Sequence, residues 1–301
     1  KWANAKTSDG SMWVWIPRYA YSITSGYHSS STGTIEIKFL KESSNVAYDG
    51  TSTWDNVSGQ GKWNIHPAFN YGQEVSGIWV AKFEASPEGA TTNTSNSEYN
   101  GTGKKLQVKP GVSSWRSIAI SNIYDVCKNY NSTLNSHMMK NDEWGAVAYL
   151  SKSKYGKQNA EVDINSDSSY YTGGGSGNAY VTNVGQSTTG TVHGVYDMSG
   201  GAWEYVAAYV NNGNSNLTNY GSSLVNGDAK TKNVYNKASS DNNTNNYNAN
   251  SGKYGDAVYE TSANGNSSSS SWYGDCSYFP STDWPFFDRG GYYSNGTGAR
   301  V

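Results

Sequence analysis

A Ser-Gly-Gly turn between two aromatic runs constrains the fold of this chain more than any other stretch. Gly200 and Gly201 can adopt positive φ, so the chain can bend sharply between residues 193–198 and 202–209. After the bend, aromatic and small apolar residues occupy every second position, as in a strand buried on at least one face. We therefore predict a tight turn followed by a core strand, with the Trp203 side chain in the core.

Composition limits the class of protein. The 301 residues are 35% hydrophobic and 15% charged, and both fractions are low for a globular protein. With 25 Tyr and 11 Trp against 6 Phe, the core must depend on large aromatic side chains whose polar atoms need hydrogen-bond partners. A net charge of −2 argues against a nucleic-acid partner. No apolar run is long enough to predict membrane insertion.

Neither the two cysteines nor the four histidines have the spacing of metal ligands. Cys127 falls on an apolar helix face, which predicts a buried, inert thiol. Cys276 has no second cysteine near it in the sequence. We therefore predict no cofactor, although the plentiful oxygen ligands leave a structural calcium ion open.

Three early segments have the pattern of strands. Residues 12–16 form an apolar run closed by Pro17, which predicts a buried strand. Residues 33–40 alternate apolar and charged side chains, as in a half-exposed strand. Residues 78–84 are predicted to form the third strand.

Two later segments have the period of helices. A serine pair at 113–114 can cap a helix whose apolar positions extend over residues 115–130. A second helix is predicted from Asn141, as its cap, to about Lys154, with Trp144 on its buried face. Helices beside short antiparallel strands define an α+β class.

Residues 211–271 are dominated by Asn, Ser, Gly and Tyr and contain too few aliphatic residues for a core of their own. We predict a low-complexity surface insertion, partly ordered by packing against the rest of one domain that spans residues 1–301. Within it, the Asn-rich run 241–250 is predicted to be the most mobile part.

Four segments of the chain resemble the formylglycine-generating-enzyme-like superfamily. The run GVYDMSGGAWEY at 194–205 is similar to that family's G-L-Y-D-M-x-G-N-V-W-E-W signature. Residues 78–84 resemble its Y-x-x-x-K-x-E-V-T strand, 138–149 its L-P-T-E-A-E-W-E-Y-A-A helix, and 287–292 its R-G-G-S-W turn. The resemblance implies a C-type-lectin-like fold, with short twisted antiparallel strands, two helices and long irregular loops.

Residues 272–301 resemble the C-terminal region of variable proteins that are diversified by retroelements in gut bacteria and their phages. The resemblance implies a variable ligand-binding segment that ends in a closing strand. The final residues, 298–301, depart from the A-G-V-F and S-F-R-V pattern of those proteins, so we expect this strand to be missing or shortened.

The composition of this segment, tyrosine among small polar residues, is that of antibody loops, which combine stiff contact area with adaptable hydrogen bonds. The candidate ligand-binding residues are Tyr273, Asp275, Tyr278, Ser281, Thr282, Asp283, Asp288, Tyr292, Tyr293, Ser294, Asn295 and Thr297. For Tyr273 and Tyr292, burial in an aromatic core is an equal alternative.

Apart from Tyr273, Asp275 and Tyr293, we predict that these side chains share one exposed face. The turn 289–291 would hold the backbone beneath them. Adenine-directed diversification, which the resemblance implies, cannot produce Trp codons from Asn-type codons. Trp272 and Trp284 are therefore predicted to belong to the scaffold.

The resemblance implies a non-catalytic binding protein at an extracellular location, on a cell surface or virion, with a host-cell surface protein or glycan as partner. The family's enzymes instead oxidise a protein cysteine with a copper-binding cysteine pair, of which this chain has only Cys276 in the matching region. Such an oxidoreductase is the alternative, and an inert structural component of a tail or surface is a third. The oligomeric state stays open.

Two further kinds of site have partial support in the sequence. Asp197 and Glu204 can be imagined as paired catalytic carboxylates, but we favour hydrogen bonds from both to groups of the glycine turn. One tripeptide, at 54–56, is similar in composition to the Trp-Asn-Asp motif by which C-type lectins bind sugars through calcium. Its residues are in a different order and it lies too early in the chain, so we do not predict such a site.

Overall fold

The computed structural model describes residues 2–91 and 103–298, except for the side chains of Ser267 and Thr297. Within these ranges the chain has an α+β architecture in which four α helices accompany several small sheets. The helices are α1 (Ile120–Tyr130), α2 (Asn141–Ser151), α3 (Asn216–Asn226) and α4 (Asn243–Ala249). Short 3₁₀ helices lie at Pro67–Phe69, Ser132–Leu134, Ala179–Val181, Val184–Gln186, Ala229–Thr231, Trp272–Gly274 and Gly296–Gly298.

The described strands are short and belong to five sheets. They are β1 (Asn4–Lys6), β2 (Met12–Pro17), β3 (Tyr19–Ser25), β4 (Thr34–Phe39), β5 (Asn64–Ile65), β6 (Gly77–Ala81), β7 (Ser86–Pro87), β8 (Leu106–Gln107), β9 (Glu204–Val210), β10 (Asn233–Tyr235), β11 (Asn266–Ser267), β12 (Ser277–Tyr278) and β13 (Phe286–Arg289).

The three larger sheets have the orders β1-β2-β6, β4-β3-β5 and β10-β9-β13. Their pairs are antiparallel except for β10, which runs parallel to β9. The antiparallel β9–β13 pair places Arg289 opposite Glu204, so the predicted glycine turn and the end of the chain meet at one edge.

The three early strands confirm the predictions from sequence. β2, β4 and β6 lie at the predicted positions, although β6 ends at Ala81. In β4 the side chains of Ile35 and Ile37 are buried and Glu36 is exposed, as the alternation requires.

Helix α2 is the central helix, and each of its residues is buried. It begins at Asn141 after Lys140 and ends at Ser151, so Asn141 is the first helical residue rather than the cap. The Asn141 side chain joins distant parts of the chain. Its amide nitrogen donates to the Tyr235 hydroxyl (2.7 Å), and its amide oxygen accepts from Arg289 (2.9 Å).

Helix α1 begins later than predicted. It starts at Ile120 after Ala119, not near the serine pair at 113–114. Ser117 has a φ of 58°, in the left-handed region, and this backbone conformation interrupts a right-handed helix. Trp115 therefore lies in the connection before the helix.

The segment 211–271 is not the predicted surface insertion. Tyr235 and Tyr247 from this segment are buried in the same hydrophobic core as Trp144 and Val206. The run 241–250, predicted to be the most mobile, contains α4 and packs its Tyr247 ring 4.8 Å from the ring of Tyr259. Tyrosine rings replace the aliphatic residues whose absence motivated the prediction.

Gly145 lies inside α2 where another segment passes closely. A Cβ atom at this position would lie 2.0 Å from the carbonyl oxygen of Gly255. Alanine normally stabilises a helix interior by up to about 1 kcal/mol relative to glycine. Here we expect Gly145→Ala to lower the free energy of unfolding by about 1–3 kcal/mol, because backbone must move to accept the methyl group.

Urea unfolding measures this difference, and Gly252→Ala is the matched control. Gly252 is exposed and a Cβ atom there would meet nothing within 4 Å. Equal stabilities for the two variants would contradict the close approach of α2 to Gly255.

Residues 299–301, where the resemblance implies a closing strand, lie outside the described residues. None of the described helices has the length and apolar character needed to cross a membrane.

Candidate functional site

A groove of about 1300 Å³ is lined by residues of the β1-β2-β6 sheet and of helix α1, among others. Its lining is aromatic and includes six of the chain's eleven tryptophans. These are Trp13, Trp15, Trp79, Trp115, Trp144 and Trp203. We call this feature the aromatic groove.

Trp203 is the most exposed of these side chains and corrects the prediction from sequence. It precedes β9 and is 57% exposed, so it is not a core residue. Its ring packs edge-on against Tyr292, with centroids 5.2 Å apart, and its Nε1 donates to Asn295 Oδ1 (3.1 Å). The backbone nitrogen of Tyr292 donates to the same oxygen (2.8 Å). Trp203, Tyr292 and Asn295 form what we call the Trp203 cluster.

The glycine turn holds the Trp203 cluster in place. Gly200 and Gly201 have φ values of 82° and 71°, as their positions in the predicted turn require. Gly200 donates to the carbonyl oxygen of Gly290 (3.0 Å), which ties the turn to the chain's last segment. A Cβ atom at Gly201 would lie 2.3 Å from Glu84 Oε1, so the turn also needs glycine to admit this carboxylate.

Arg289 joins the last segment to the interior of the fold. Its guanidinium donates to Asn141 Oδ1 (2.9 Å) and to the carbonyl oxygens of Asp256 (3.1 Å) and Ala257 (3.2 Å). Gly290 and Gly291 have φ values of 79° and 69°. The last segment is therefore joined to α2 through a side chain that reaches inward.

Three carboxyl groups lie beneath the turn, and two of them have backbone partners. Asp197 accepts from the backbone nitrogen of Gly173 (2.8 Å) and from Asn165 Nδ2 (3.0 Å). Glu84 Oε1 accepts from the backbone nitrogen of Ala202 (2.8 Å). The predicted role of Asp197 in bonding groups around the turn is thus confirmed.

Glu204 differs from the other two. Its Oε2 is shielded from solvent and has no hydrogen-bond partner among the described residues. A Cβ atom at Gly290 would lie 3.5 Å from this oxygen. The predicted hydrogen bond from a turn group to this oxygen is therefore not made. Other atoms of Glu204 line the aromatic groove.

Burial dominates the electrostatics of this group of acids. Burial raises the pKa of Glu204 well above its ordinary value, and the carboxylates of Glu84 and Asp197 raise it further. Burial also raises the pKa of Glu84, with Asp197 adding to the effect, and raises that of Asp197 to about 6. The three groups lie too close to ionise together without cost.

A pH-dependent contribution to stability follows. The folded protein holds the Glu204 proton more tightly than the unfolded chain, so this group favours folding below an unfolded pKa of about 4.5. The contribution is lost as the pH rises toward the folded pKa. We expect Glu204→Gln to unfold less readily than the wild type at pH 8, with the difference shrinking toward pH 4.5.

Urea unfolding across this pH range measures the difference between the two proteins. The exposed Glu36→Gln serves as the control for removal of a carboxylate. A Glu204→Gln curve that stays parallel to the wild type would show that Glu204 ionises freely in the fold.

Two side chains extend the aromatic groove beside the Trp203 cluster. The guanidinium of Arg116 lies 4.0 Å from the ring centroid of Tyr170, and both residues line the groove. Tyr170 in turn packs edge-on against Tyr293, with centroids 5.0 Å apart. Of the candidate residues from the sequence, Tyr292 lines the groove and residues 293–295 adjoin it.

A second group of candidate residues lies at the other end of β9. The carbonyl oxygens of Thr282 and Asp283 accept from Asn214 (2.6 Å) and Asn216 (2.7 Å), which follow that strand. Because β9 has seven residues, this group lies about 20 Å from the Trp203 cluster along the strand. Thr282 and Asp283 are exposed, and Ser281 is half-buried.

A third group packs against α2 and its following residues. The Tyr273 ring lies 3.9 Å from Lys152 Nζ and its hydroxyl donates to the carbonyl oxygen of Gln158 (3.3 Å). Asp275 is only 6% exposed, and burial raises its pKa to about 8. The prediction that Asp275 is available to a ligand is therefore wrong, and Tyr273 is half-buried.

The remaining candidate residues belong to other strands or to the end of the last segment. Tyr278 on β12 and Asp288 on β13 are exposed, and so are Ser294 and Asn295. The side chain of Thr297 lies outside the described part of the structure. The predicted single face is wrong, because the candidates divide between the two ends of β9 and the surroundings of Lys152.

The two scaffold tryptophans differ in burial. Trp272 is buried, and its Nε1 donates to the carbonyl oxygen of Gly26 (2.7 Å), in agreement with a scaffold role. Trp284 is half-buried and packs against Tyr220 and Phe286.

Sequence reasoning missed Trp203, Arg116 and Tyr170 as candidate site residues. Their partners lie far away in the chain, and no local pattern records such pairs. Only Trp203 has a local sequence feature that indicates exposure, namely its position directly after a glycine turn.

Within the described ranges, the cysteine thiols and the acidic side chains do not form a metal-binding arrangement. Cys127 is half-buried against the aromatic groove, and burial raises its pKa to about 12, which makes it a poor nucleophile. Both cysteines are free. No group of three or more His, Cys, Asp or Glu side chains among residues 2–91 and 103–298 is arranged to hold a metal ion.

No family model matches the chain, and no curated protein matches it by sequence.

Proposed function

We propose that this chain is a non-catalytic binding protein with a C-type-lectin-like fold, related to the variable proteins that retroelements diversify. The observation that carries the proposal is the Trp203 cluster. An exposed indole, fixed by Tyr292 and Asn295 from the segment that the sequence marks as variable, borders the aromatic groove. A large ring held in one orientation loses little entropy on binding, which is the property of a recognition surface.

The partner is a surface protein or glycan of a host cell, and the chain acts outside the cell, on a cell surface or a virion. The binding surface is smaller than the twelve residues suggested by sequence. It consists of residues 292–295 together with Trp203, Arg116 and Tyr170. Residues 281–283 form a separate exposed patch at the far end of β9.

Flow cytometry of the labelled protein on intact bacterial and human epithelial cells tests the proposal. We expect Trp203→Ala to lower binding to the cells at least about tenfold, as for a central aromatic contact. Tyr220→Ala is the matched control, because Tyr220 is similarly exposed, lies on α3 and does not line the groove. Binding by no cell type, or equal binding by wild type and Trp203→Ala, would overturn the proposal.

The alternative is a formylglycine-type oxidoreductase, in which Cys276 would act as a copper ligand. Cys276 is exposed, and partial burial of its thiol raises its pKa, with the carboxylate of Asp275 adding to the effect. Oxidation of a cysteine-containing peptide by the copper-loaded protein, lost in Cys276→Ser, would favour this alternative. Absence of both oxidation and cell binding would leave a structural component of a tail or surface.

A further inference from the structure

Strand β6 lies at the edge of the β1-β2-β6 sheet and borders the aromatic groove. The neighbouring strand β2 contributes only Trp13 and Trp15 to the lining, which are alternate residues of one face. β6 contributes all five of its residues, 77–81. Because consecutive residues of a strand point to opposite faces, this lining indicates that the groove runs along the edge of β6.

The hydrogen bonds of β6 leave alternate main-chain groups unused. The backbone nitrogen of Lys82 donates to the carbonyl oxygen of Met12 (3.1 Å), in register with the β2–β6 pair. The even-numbered residues of β6 therefore bond β2. The N–H and C=O groups of Gly77, Trp79 and Ala81 point away from β2. In residues 2–91 and 103–298 these groups have no hydrogen-bond partner.

The free edge of β6 is accessible and uncharged. Gly77 has no side chain and is half-buried, so solvent reaches its main chain. Ala81 is also half-buried, and Trp79 is 49% exposed. Proteins usually protect a free edge with charged side chains or proline, as β4 does with Glu36 and Lys38, and β6 has neither. Such an edge is expected to pair with another chain.

The arrangement of the unused groups defines what can bind them. Donors and acceptors recur along the edge about every 7 Å, because every second residue of a strand points the same way. An extended peptide matches this repeat with its own main chain, which is the basis of recognition by strand addition. Helix α1 and residues 134–139 line the same groove, so a single strand fits there better than the edge of a second folded copy.

The lining also restricts the side chains of the added strand. On one face they would lie beside Ile78 and Val80, which are buried in the main core. On the other face they would lie beside Trp15 and Trp79, whose ring centroids are 5.2 Å apart. Apolar side chains suit both faces, because each would remove apolar surface from water.

The charged groups of the groove favour an acidic residue next to the apolar segment. Lys128 is exposed and Arg116 is half-buried, and both line the groove. Burial raises the pKa of the glutamates in the lining and favours their neutral form; these are Glu84, Glu143 and Glu204. Positive charge therefore predominates around the free edge, and complementary charge guides partner choice.

We propose that the free edge of β6 binds an extended, largely apolar segment of a partner protein, about five residues long and flanked by an acidic residue, as a fourth strand of the β1-β2-β6 sheet. This inference rests on the proposed binding function and selects a protein rather than a glycan as the partner. The indole of Trp203, which lines the same groove, contacts the partner beyond the added strand.

A phage-displayed library of random ten-residue peptides tests the inference. Trp79→Pro removes the free N–H of residue 79 but no bond to β2, so an edge strand tolerates it. Trp79→Ala is the matched control, because it removes the same side chain and keeps the N–H. We expect the wild type to enrich proline-free peptides with alternating apolar residues and an acidic flank.

The enriched peptides, made synthetically, should bind Trp79→Pro at least about tenfold more weakly than Trp79→Ala. The proline loses one hydrogen bond and its ring also blocks the edge. Fluorescence polarisation measures both affinities. Equal affinity for the two variants, or no enrichment on the wild type, would overturn the inference.

Amide hydrogen exchange on the unaltered protein tests the pairing without any substitution. With an enriched peptide bound, the amides of Gly77, Trp79 and Ala81 should exchange at least about tenfold more slowly by NMR. The amides of Ile78 and Val80 already bond β2 and should change less. Slowing that does not follow this alternation would overturn strand addition.

Cells distinguish failure of this inference from failure of the proposed function. Binding to cells should be lost after proteinase K, survive periodate oxidation of sugars and fall with excess enriched peptide. Binding that is lost in Trp203→Ala but unchanged by the peptide and by Trp79→Pro would overturn strand addition and keep the proposed function. Peptide binding without binding to any cell would reject the proposed function and support strand addition.

Sedimentation of the free protein tests the remaining occupant, a second copy of this chain. The wild type should sediment as Trp79→Pro does, with no dimer that the peptide dissociates. A dimer that is lost both in Trp79→Pro and on addition of the peptide would assign the edge to self-association and overturn the inference.

Discussion

Trp144→Ala should destabilise the protein by about 3–5 kcal/mol, the usual cost of removing a large aromatic side chain from a core. The indole is 2% exposed and packs within the main hydrophobic core at the centre of α2. The Arg289 guanidinium lies 5.6 Å from its ring centroid. Truncation therefore removes both a buried ring and the surface on which the last segment rests.

Trp203→Ala is the matched control, because it makes the same chemical change at an exposed position. Its free energy of unfolding should fall by less than about 1 kcal/mol, as for most surface substitutions. Chemical denaturation of the two variants measures the contrast. Similar losses at both positions would show that the indole of Trp203 is packed in solution and would weaken its role in recognition.

The contrast between these two tryptophans shows what the sequence can reveal. Trp144 lies in a segment with helical period and acidic residues in its first turn, and such local patterns place the residue correctly. The stretch after the glycine turn alternates, but from Val206 to Val210 every residue of β9 is buried. With both faces covered, alternation carries no information about which residues point outward.

The position of Trp203 depends on partners that no local pattern records. Its ring contacts Tyr292 and its nitrogen bonds Asn295, both about ninety positions away. The same holds for the candidate residues at 281–283, which are held by asparagines that follow β9. The composition of the last segment suggested a recognition surface, but only the pairing of β13 with β9 determines which of its residues lie together.

The Asn-rich segment 241–250 differs from its prediction for a related reason. A lack of aliphatic residues usually means that a segment cannot form a core. Here, asparagine side chains satisfy the backbone: Asn246 Oδ1 accepts from Ala238 (2.8 Å), and Asn250 pairs with the backbone of Asn236 (2.9 and 2.8 Å). These bonds allow α4 to bury Tyr247 without leaving polar groups unpaired.

We therefore expect Tyr247→Ala to lower the free energy of unfolding by about 3–5 kcal/mol, similar to other large aromatic truncations. Tyr247 is fully buried, and its ring packs against Tyr259 and Phe279. Its hydroxyl lies within hydrogen-bond distance of the carbonyl oxygens of Tyr259 and Ser262. Truncation would leave a cavity and two buried acceptors with fewer donors.

Thermal and urea unfolding measure this loss, and Asn248→Ala in the same helix is the control. Asn248 is exposed on α4, so its replacement should change stability by no more than about 0.5 kcal/mol. If Tyr247→Ala proves as stable as Asn248→Ala, the segment 241–250 does not pack in solution as it does here. The surface-insertion hypothesis would then be correct, and deletion of the segment should leave the remaining fold intact.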